Sequence, residues 1–160
     1  MTFAEQMFLL MRVRSSCRYF DENYKLTEEE KNILIRSIDC GPSSGGLRAY
    51  GVYYKEDNKD KIQAAALNQR FINKSSIIFC LCADPKKSIE KYGERGNLYA
   101  IQDATIAGCQ ITFAAIALWL GTCWVGSIDN KKIMKIYNIP KNQFPLSLIC
   151  IGKWKDNRGI

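Results

Sequence analysis

Residues 76–83 (SIIFCLCA) form an unbroken apolar run bounded by charge, the pattern of a strand buried on both faces rather than one. Around it the polar and apolar positions alternate in longer units. Residues 2–13 have mixed apolar spacing compatible with a short helix, followed by a polar, basic connection over 14–18. Thr27-Glu28-Glu29-Glu30 places a hydroxyl at a helix start with a carboxylate three residues on, a capping box ahead of Ile33, Leu34 and Ile38. That helix is expected to end near Cys40-Gly41-Pro42, where glycine offers a left-handed exit and proline cannot continue. Residues 49–55 read as an aromatic strand, 60–72 as a helix, 97–120 as a long helix ended by Gly121, 122–128 and 146–152 as strands, and 130–137 as a short helix between them. No repeat or linker divides the chain, so one domain is expected over 1–160.

The stretch 104–128 holds no charged residue and is long enough to raise a transmembrane reading. Gly108, Gln110, Thr112, Gly121 and Thr122 interrupt it, and the pattern changes from helix to strand after Gly121, so neither half spans a bilayer. A helix apolar on nearly all sides is instead expected as a central core helix or a homodimer interface.

Composition removes several chemistries. The 160 residues contain no histidine, which excludes Ser-His-Asp and Cys-His nucleophile pairs and His-ligated zinc. The seven cysteines are odd in number and scattered, with no CxxC pair, and the first residues carry no basic leader or small-residue cleavage site. These features point to free thiols, no metal site and a reducing, cytoplasmic compartment. The net charge of +7 is concentrated toward the C-terminal part, where seven basic residues from Lys131 to Arg158 face only Asp156. Such a balance suits nucleic acid, an anionic membrane surface or a phosphorylated small molecule, or a merely solvated face.

Three loops carry candidate chemistry. Arg14-Ser15-Ser16-Cys17-Arg18 sets two guanidiniums beside two hydroxyls, which can cradle a phosphate or complement the end of the preceding helix. Gly41-Pro42-Ser43-Ser44-Gly45-Gly46-Leu47-Arg48 lets the backbone approach a planar ligand or serves as an ordinary turn; it matches neither the P-loop nor the GxGxxG spacing. Leu120-Gly121-Thr122-Cys123-Trp124-Val125-Gly126-Ser127 turns from helix to strand and can aim backbone N–H groups at a ligand, or pack around Trp124.

In this order the three loops resemble the FMN-dependent nitroreductase family. The opening motif looks like Arg14-Ser15-Ser16-Cys17-Arg18-Tyr19-Phe20, the second like Pro42-Ser43-Ser44-Gly45-Gly46-Leu47, the core-helix motif like Tyr99-Ala100-Ile101-Gln102-Asp103-Ala104, and the flavin-ring turn like Gly121-Thr122-Cys123-Trp124-Val125-Gly126; the resemblance covers nearly the whole chain. It implies an α+β, three-layer fold with a central mixed or antiparallel sheet flanked by helices, a long central helix at a dimer interface, and FMN as cofactor in each of two pockets at the subunit interface. Arg14, Ser15, Ser16 and Arg18 would bind the FMN phosphate, aided by Lys153 or Arg158. Pro42, Ser43, Ser44, Gly46 and Leu47 would lie at the flavin ring, Gln69 would reach its pyrimidine edge, and Val125 and Gly126 would offer amides near its reactive nitrogen. Relatives often carry Asn where this chain has Gly46, and the 83–97 region is short compared with longer members.

The implied activity is ping-pong electron transfer from NAD(P)H through FMN to a nitroaromatic, quinone or similar acceptor, by a homodimer that uses neither nucleic acid nor membrane. Flavin chemistry belongs to the cofactor, so no catalytic side chain is named. The alternatives are a flavoprotein that stores or senses FMN without turnover, and a basic nucleic-acid-binding module, against which stands the scarcity of aromatics among the basic residues beyond Tyr137 and Trp154.

Overall fold

A computed structural model describes residues 1–155. Its centre is a four-stranded sheet of β1 (Tyr50–Lys55), β2 (Ile77–Ala83), β3 (Gly121–Val125) and β4 (Phe144–Gly152), in the order β1-β2-β4-β3. Every named pairing is antiparallel; the one parallel contact among the described residues is an isolated bridge from Ser16 to Thr122. All seven residues of β2 are buried, as the apolar run requires.

Helices cover both faces. On one lie α3 (Lys59–Ala64), α4 (Phe71–Lys74) and α7 (Asn130–Tyr137), packing Ile62, Phe71, Ile72, Ile133 and Tyr137 onto Cys80, Cys82, Cys123 and Cys150. On the other, α2 (Glu28–Ser37) and α6 (Gly96–Ala117) pack Leu34, Ile111 and Ala115 onto Ile77, Phe79, Leu81, Ile149 and Ile151. Ten residues of α6 are buried, so its apolar length is used against the sheet as a core helix. Trp124 fixes β3 to it: the indole Nε1–H donates to Thr112 Oγ1 (2.9 Å), over Gly108, where a Cβ would press into Trp124 and Leu81.

The sequence expectations hold for the first helix, for α7, for the start of α2 and for the number and place of the four strands, and differ at the points that follow for physical reasons. The capping box is present, with Thr27 accepting from Glu30 N–H and the Glu30 carboxylate accepting from Thr27 N–H. The expected helix over 60–72 is two helices. Ile62, Ala65 and Ala66 share one face, and Phe71 and Ile72 reach the same core only because Leu67 and Asn68 adopt φ of 55° and 53° and redirect the chain. Gly41 is extended (φ −85°, ψ 163°), not left-handed; it is needed because a Cβ there would press into Ile106 of α6. The long helix ends at Ala117, with Trp119 rather than Gly121 in the left-handed region, and Gly121 opens β3 where a Cβ would meet Cys17 at 2.7 Å. β3 itself stops at Val125, three residues before the expected end. The 83–97 region is not a plain connector: Pro85 starts α5 (Pro85–Tyr92), and a 3-10 turn at Gly93–Arg95 leads into α6.

α1 (Phe3–Val13) begins at a capping box formed by Thr2 and Glu5 and buries none of its residues. Phe3 is 77% exposed and Phe8 61%, and on α6 Leu98, Ile101 and Cys109 also face outward. These helices present an apolar surface of the kind that monomeric proteins rarely leave open.

Five cysteines are buried, and Cys80 and Cys82 point to the same side with sulfurs 3.8 Å apart, as their alternation requires. Burial pushes the Cys17 thiol up to about 11, and raises Cys123 and Cys150 as well. These thiols stay neutral in the fold while the unfolded chain ionises, so the stability they contribute is complete below the ordinary value of 9.0 and is lost as pH rises toward 11. The urea midpoint is expected to fall over that interval, and a Cys17→Ala, Cys123→Ala variant to show a shallower decline; equal slopes for the two proteins would contradict it.

Candidate functional site

The polar residues named by the sequence gather at two places. At the β3 edge the basic segment runs beside the strand: Ser16 bridges Thr122, Cys17 N–H donates to the Thr122 carbonyl (2.8 Å), and Cys17 is buried while Arg14, Ser15, Ser16 and Arg18 remain exposed. The chain then pairs with the end of β4, where Asp21 N–H donates to the Lys153 carbonyl and Lys155 N–H to the Tyr19 carbonyl, each at 2.9 Å. One buried cysteine thus anchors a loop whose cationic side chains are exposed. Ser15 lines a small cavity of about 30 Å³ with Val13, Ile116, Thr122 and Trp154.

Arg18 stands over the Phe71 ring (6.0 Å to its centre), toward the α3–α4 side of the sheet. On that side lies the connection carrying Gln69, whose Nε2 donates to the Ala66 carbonyl (3.1 Å). It is pinned to the turn after β3, because Asp129 N–H donates to the Ala65 carbonyl at 2.7 Å. Gly126 in that turn is exposed, and a Cβ there would meet no atom within 4 Å. The phosphate-type residues and the Gln69, Val125 and Gly126 group therefore share the β3 edge. Lys153 is directed elsewhere, with its ammonium 5.8 Å from the centre of the Tyr24 ring beside Glu30. Arg158 lies outside the described residues.

The second place is the β1 edge, on the α6 side. Pro42 to Leu47 forms a tight turn in which Gly45 and Gly46 adopt φ of 59° and 69°. Asp103 holds it: one carboxylate oxygen accepts from Ser44 N–H (2.8 Å) and the other from Ala49 N–H (3.2 Å). Asp103 is 1% exposed and is the sole charged side chain from Gly96 to Ile128, so its bonds to backbone are what make its burial tolerable. Pro42, Ser43 and Ser44 line an open groove of about 560 Å³ against Ile101, Asp103 and Ile106. Gly46 faces open space, where an added Cβ would meet no atom within 4 Å, whereas a Cβ on Gly45 would clash with Tyr92 and approach Lys91 at 2.8 Å. Lys91, Tyr92, Arg95 and Tyr99 form the rim here: Arg95 Nε donates to Tyr99 Oη (3.1 Å), and the Tyr92 and Tyr99 rings meet edge to face at 5.0 Å.

Two residue sets expected at one ring thus lie at opposite edges of a four-stranded sheet and on opposite faces of it. Three strand spacings separate the edges, about 14 Å before loops are added. Within one chain the packed sheet lies between Gly126, on the α3–α4 side, and Ser44, held by α6 on the other.

The sequence model of the nitroreductase family matches residues 52–153, well over half of the chain. The chain belongs to the nitroreductase family. Among family relatives, the FMN reductase (NADPH) of Bacillus subtilis (strain 168) is 26% identical over 143 residues, covering 79% of this chain and 57% of the relative. A Cr(VI) reductase of Pseudomonas sp. (strain G-1) is 27% identical over 157 residues, covering 89% of this chain and 64% of the relative. The chain therefore spans only 57% to 64% of the length of these two reductases. Among solved structures, the NfrA1 nitroreductase from B. subtilis superposes with a TM-score of 0.86 at 24% identity, over 96% of this chain and 68% of that one, and so shares the nitroreductase fold.

Asp103 falls within the core-helix motif, but the sequence alone assigns it no role. The signal is nonetheless present: a lone carboxylate in an otherwise uncharged helix must find donors. Asp103→Ala leaves two backbone N–H groups without acceptors and is expected to destabilise the fold by about 2–4 kcal/mol. Asp103→Asn, which keeps one oxygen, should lose less; urea unfolding of both variants checks the order, and equal stability of Asp103→Ala and the parent would contradict the clamp.

Proposed function

We propose that this nitroreductase-family chain is an FMN-dependent NAD(P)H oxidoreductase that works as a homodimer, passing electrons to a nitroaromatic, quinone or similar small acceptor. The observation that carries the reading is the separation of the two ring-facing sets, each with a glycine open to space, at Gly126 on the β3 edge and Gly46 on the β1 edge. A second copy brings the β1-edge loop of one chain to the β3 edge of the other, and two-fold symmetry then forms two identical sites. The exposed apolar face of α1 and the outward stripe of α6 supply the surface that such pairing buries.

The residues fit FMN by their donor chemistry. Arg14 and Arg18 provide forked guanidinium donors and Ser15 and Ser16 hydroxyls for a phosphate at the β3 edge. Val125 and Gly126 offer backbone N–H groups toward the ring, and Gln69 an amide toward its polar edge. Ser44 and Gly46 of the second copy would lie against the ring, with Gly46 leaving room where an added Cβ meets no atom within 4 Å. Bound FMN would supply the chemistry of hydride acceptance from a nicotinamide and onward electron transfer. The protein's part is to orient the two reactants, exclude water with the paired helices and supply dipoles. No histidine exists to shuttle protons, and the rim of Lys91, Tyr92, Arg95 and Tyr99 is what a substrate over the β1-edge loop would meet. A cytoplasmic setting fits the seven free thiols.

Purified protein is expected to be a yellow dimer whose flavin absorbance is bleached by NADPH or NADH under anaerobic conditions. Colourless protein that takes up no added FMN would overturn the reading, and bound flavin that neither nucleotide reduces would leave a storage or sensing flavoprotein. Arg14→Ala or Arg18→Ala is expected to weaken FMN binding roughly ten- to hundredfold while changing riboflavin binding little, measured by fluorescence quenching. Equal losses for both flavins would place the arginines away from the phosphate.

A further inference from the structure

Between α3 and α7 lies an open groove of about 530 Å³, lined by Asn58, Lys61, Ala64, Lys132, Lys135 and Ile136. Three of its lining residues are lysines. Lys132 has a carboxylate partner, Asp129 at 3.5 Å, and among the described residues Lys61 and Lys135 take part in no ion pair. Asn58, at the start of α3 with φ of 54°, makes no side-chain cap, which leaves its amide available at the groove wall. Three lysines against one aspartate leave an excess of two positive charges, a field that attracts a multiply charged anion.

Nothing in the fold demands this excess. α7 is anchored by Ile133 and Tyr137, both buried, while its lysines are exposed, so the helix would pack equally well with neutral side chains at 132 and 135.

The groove also has an address. Its walls meet where Asp129 N–H donates to the Ala65 carbonyl, next to the turn that carries Gly126 and the connection that carries Gln69. Gly126 to Asp129 is three residues, at most about 10 Å, and Lys132 and Lys135 follow at about 4.5 and 9 Å along α7. The lysines thus lie within about 15–20 Å of the Gly126 amide, the reach of an extended dinucleotide whose nicotinamide is at the ring.

We infer that the α3–α7 groove binds the phosphorylated adenosine end of the reducing nucleotide, with Lys61, Lys132 and Lys135 selecting NADPH over NADH through its additional phosphate. The inference rests on the proposed flavin site for its location, and assigns to the nucleotide a part of the +7 charge that the flavin phosphate does not use.

The test uses adenosine 2′,5′-bisphosphate as the probe, titrated calorimetrically into the parent protein and into a Lys61→Gln, Lys132→Gln, Lys135→Gln variant with parent-like circular dichroism. Binding to the parent that weakens at least about tenfold in the variant supports the inference, as does a KM for NADPH that rises at least about tenfold while that for NADH moves less than about threefold. Unchanged bisphosphate binding, or a parallel rise of both KM values, would overturn it. So would tighter binding of the parent to single-stranded RNA than to the bisphosphate, since the lysines would then be a nucleic-acid surface. If the parent holds no flavin yet binds the bisphosphate through these lysines, the groove stands as a nucleotide site and the flavin reading alone fails.

Discussion

Both faces of β2 are closed. Ile77, Phe79 and Leu81 are buried under α6, and Ile78, Cys80 and Cys82 under α3, α4 and α7, so helices must cover the sheet on either side and polar chemistry is excluded from its middle. The strands themselves are left open only at the two sheet edges, and the chain places one glycine-bearing loop at each. The division of the candidate site into two halves follows from that burial.

Each half is held by a polar anchor within reach of the core. At the β3 edge the buried Cys17 and its N–H bond to Thr122 fix a loop whose flanking arginines stay in solvent, and the absence of a Cβ at Gly121 allows that approach. At the β1 edge the carboxylate of Asp103 does the equivalent, binding two backbone N–H groups and setting the turn that leaves Gly46 open. The two anchors differ in cost. A thiol is nearly apolar and is buried cheaply, whereas a carboxylate in a helix facing the sheet survives only because both its oxygens are satisfied. In both cases the rigid part is buried and the polar loop it holds is exposed.

Much of this is legible in the chain alone. The both-face burial of 76–83, the capping box at Thr27 and Glu30, and the two glycine-bearing loops are written in local pattern, where hydrogen-bonding geometry and side-chain period act over a few residues. What escapes such a reading is decided by contacts distant in sequence. The break between α3 and α4 exists because Phe71 and Ile72 must reach the core that Ile62 already fills, and Gly41 and Gly121 answer to Ile106 and Cys17, far along the chain from each. The separation of the loops onto opposite edges depends on strand order, which periodicity does not encode. α5 is hidden because its apolar positions are few and its start is signalled only by Asp84-Pro85.

If one ligand is held jointly by the β3 edge of one copy and the β1 edge of another, two defective chains should repair each other. The direct measurement mixes a chain bearing Arg14→Ala and Arg18→Ala with a chain bearing Gly46→Val, after denaturation and refolding together, and counts bound FMN per subunit. Each variant alone has two damaged sites per dimer, while each mixed dimer contains one site built wholly from unaltered halves. Random pairing predicts recovery of about a quarter of the parent's FMN binding. No recovery above the separate variants, with mixed dimers present, would contradict the shared site.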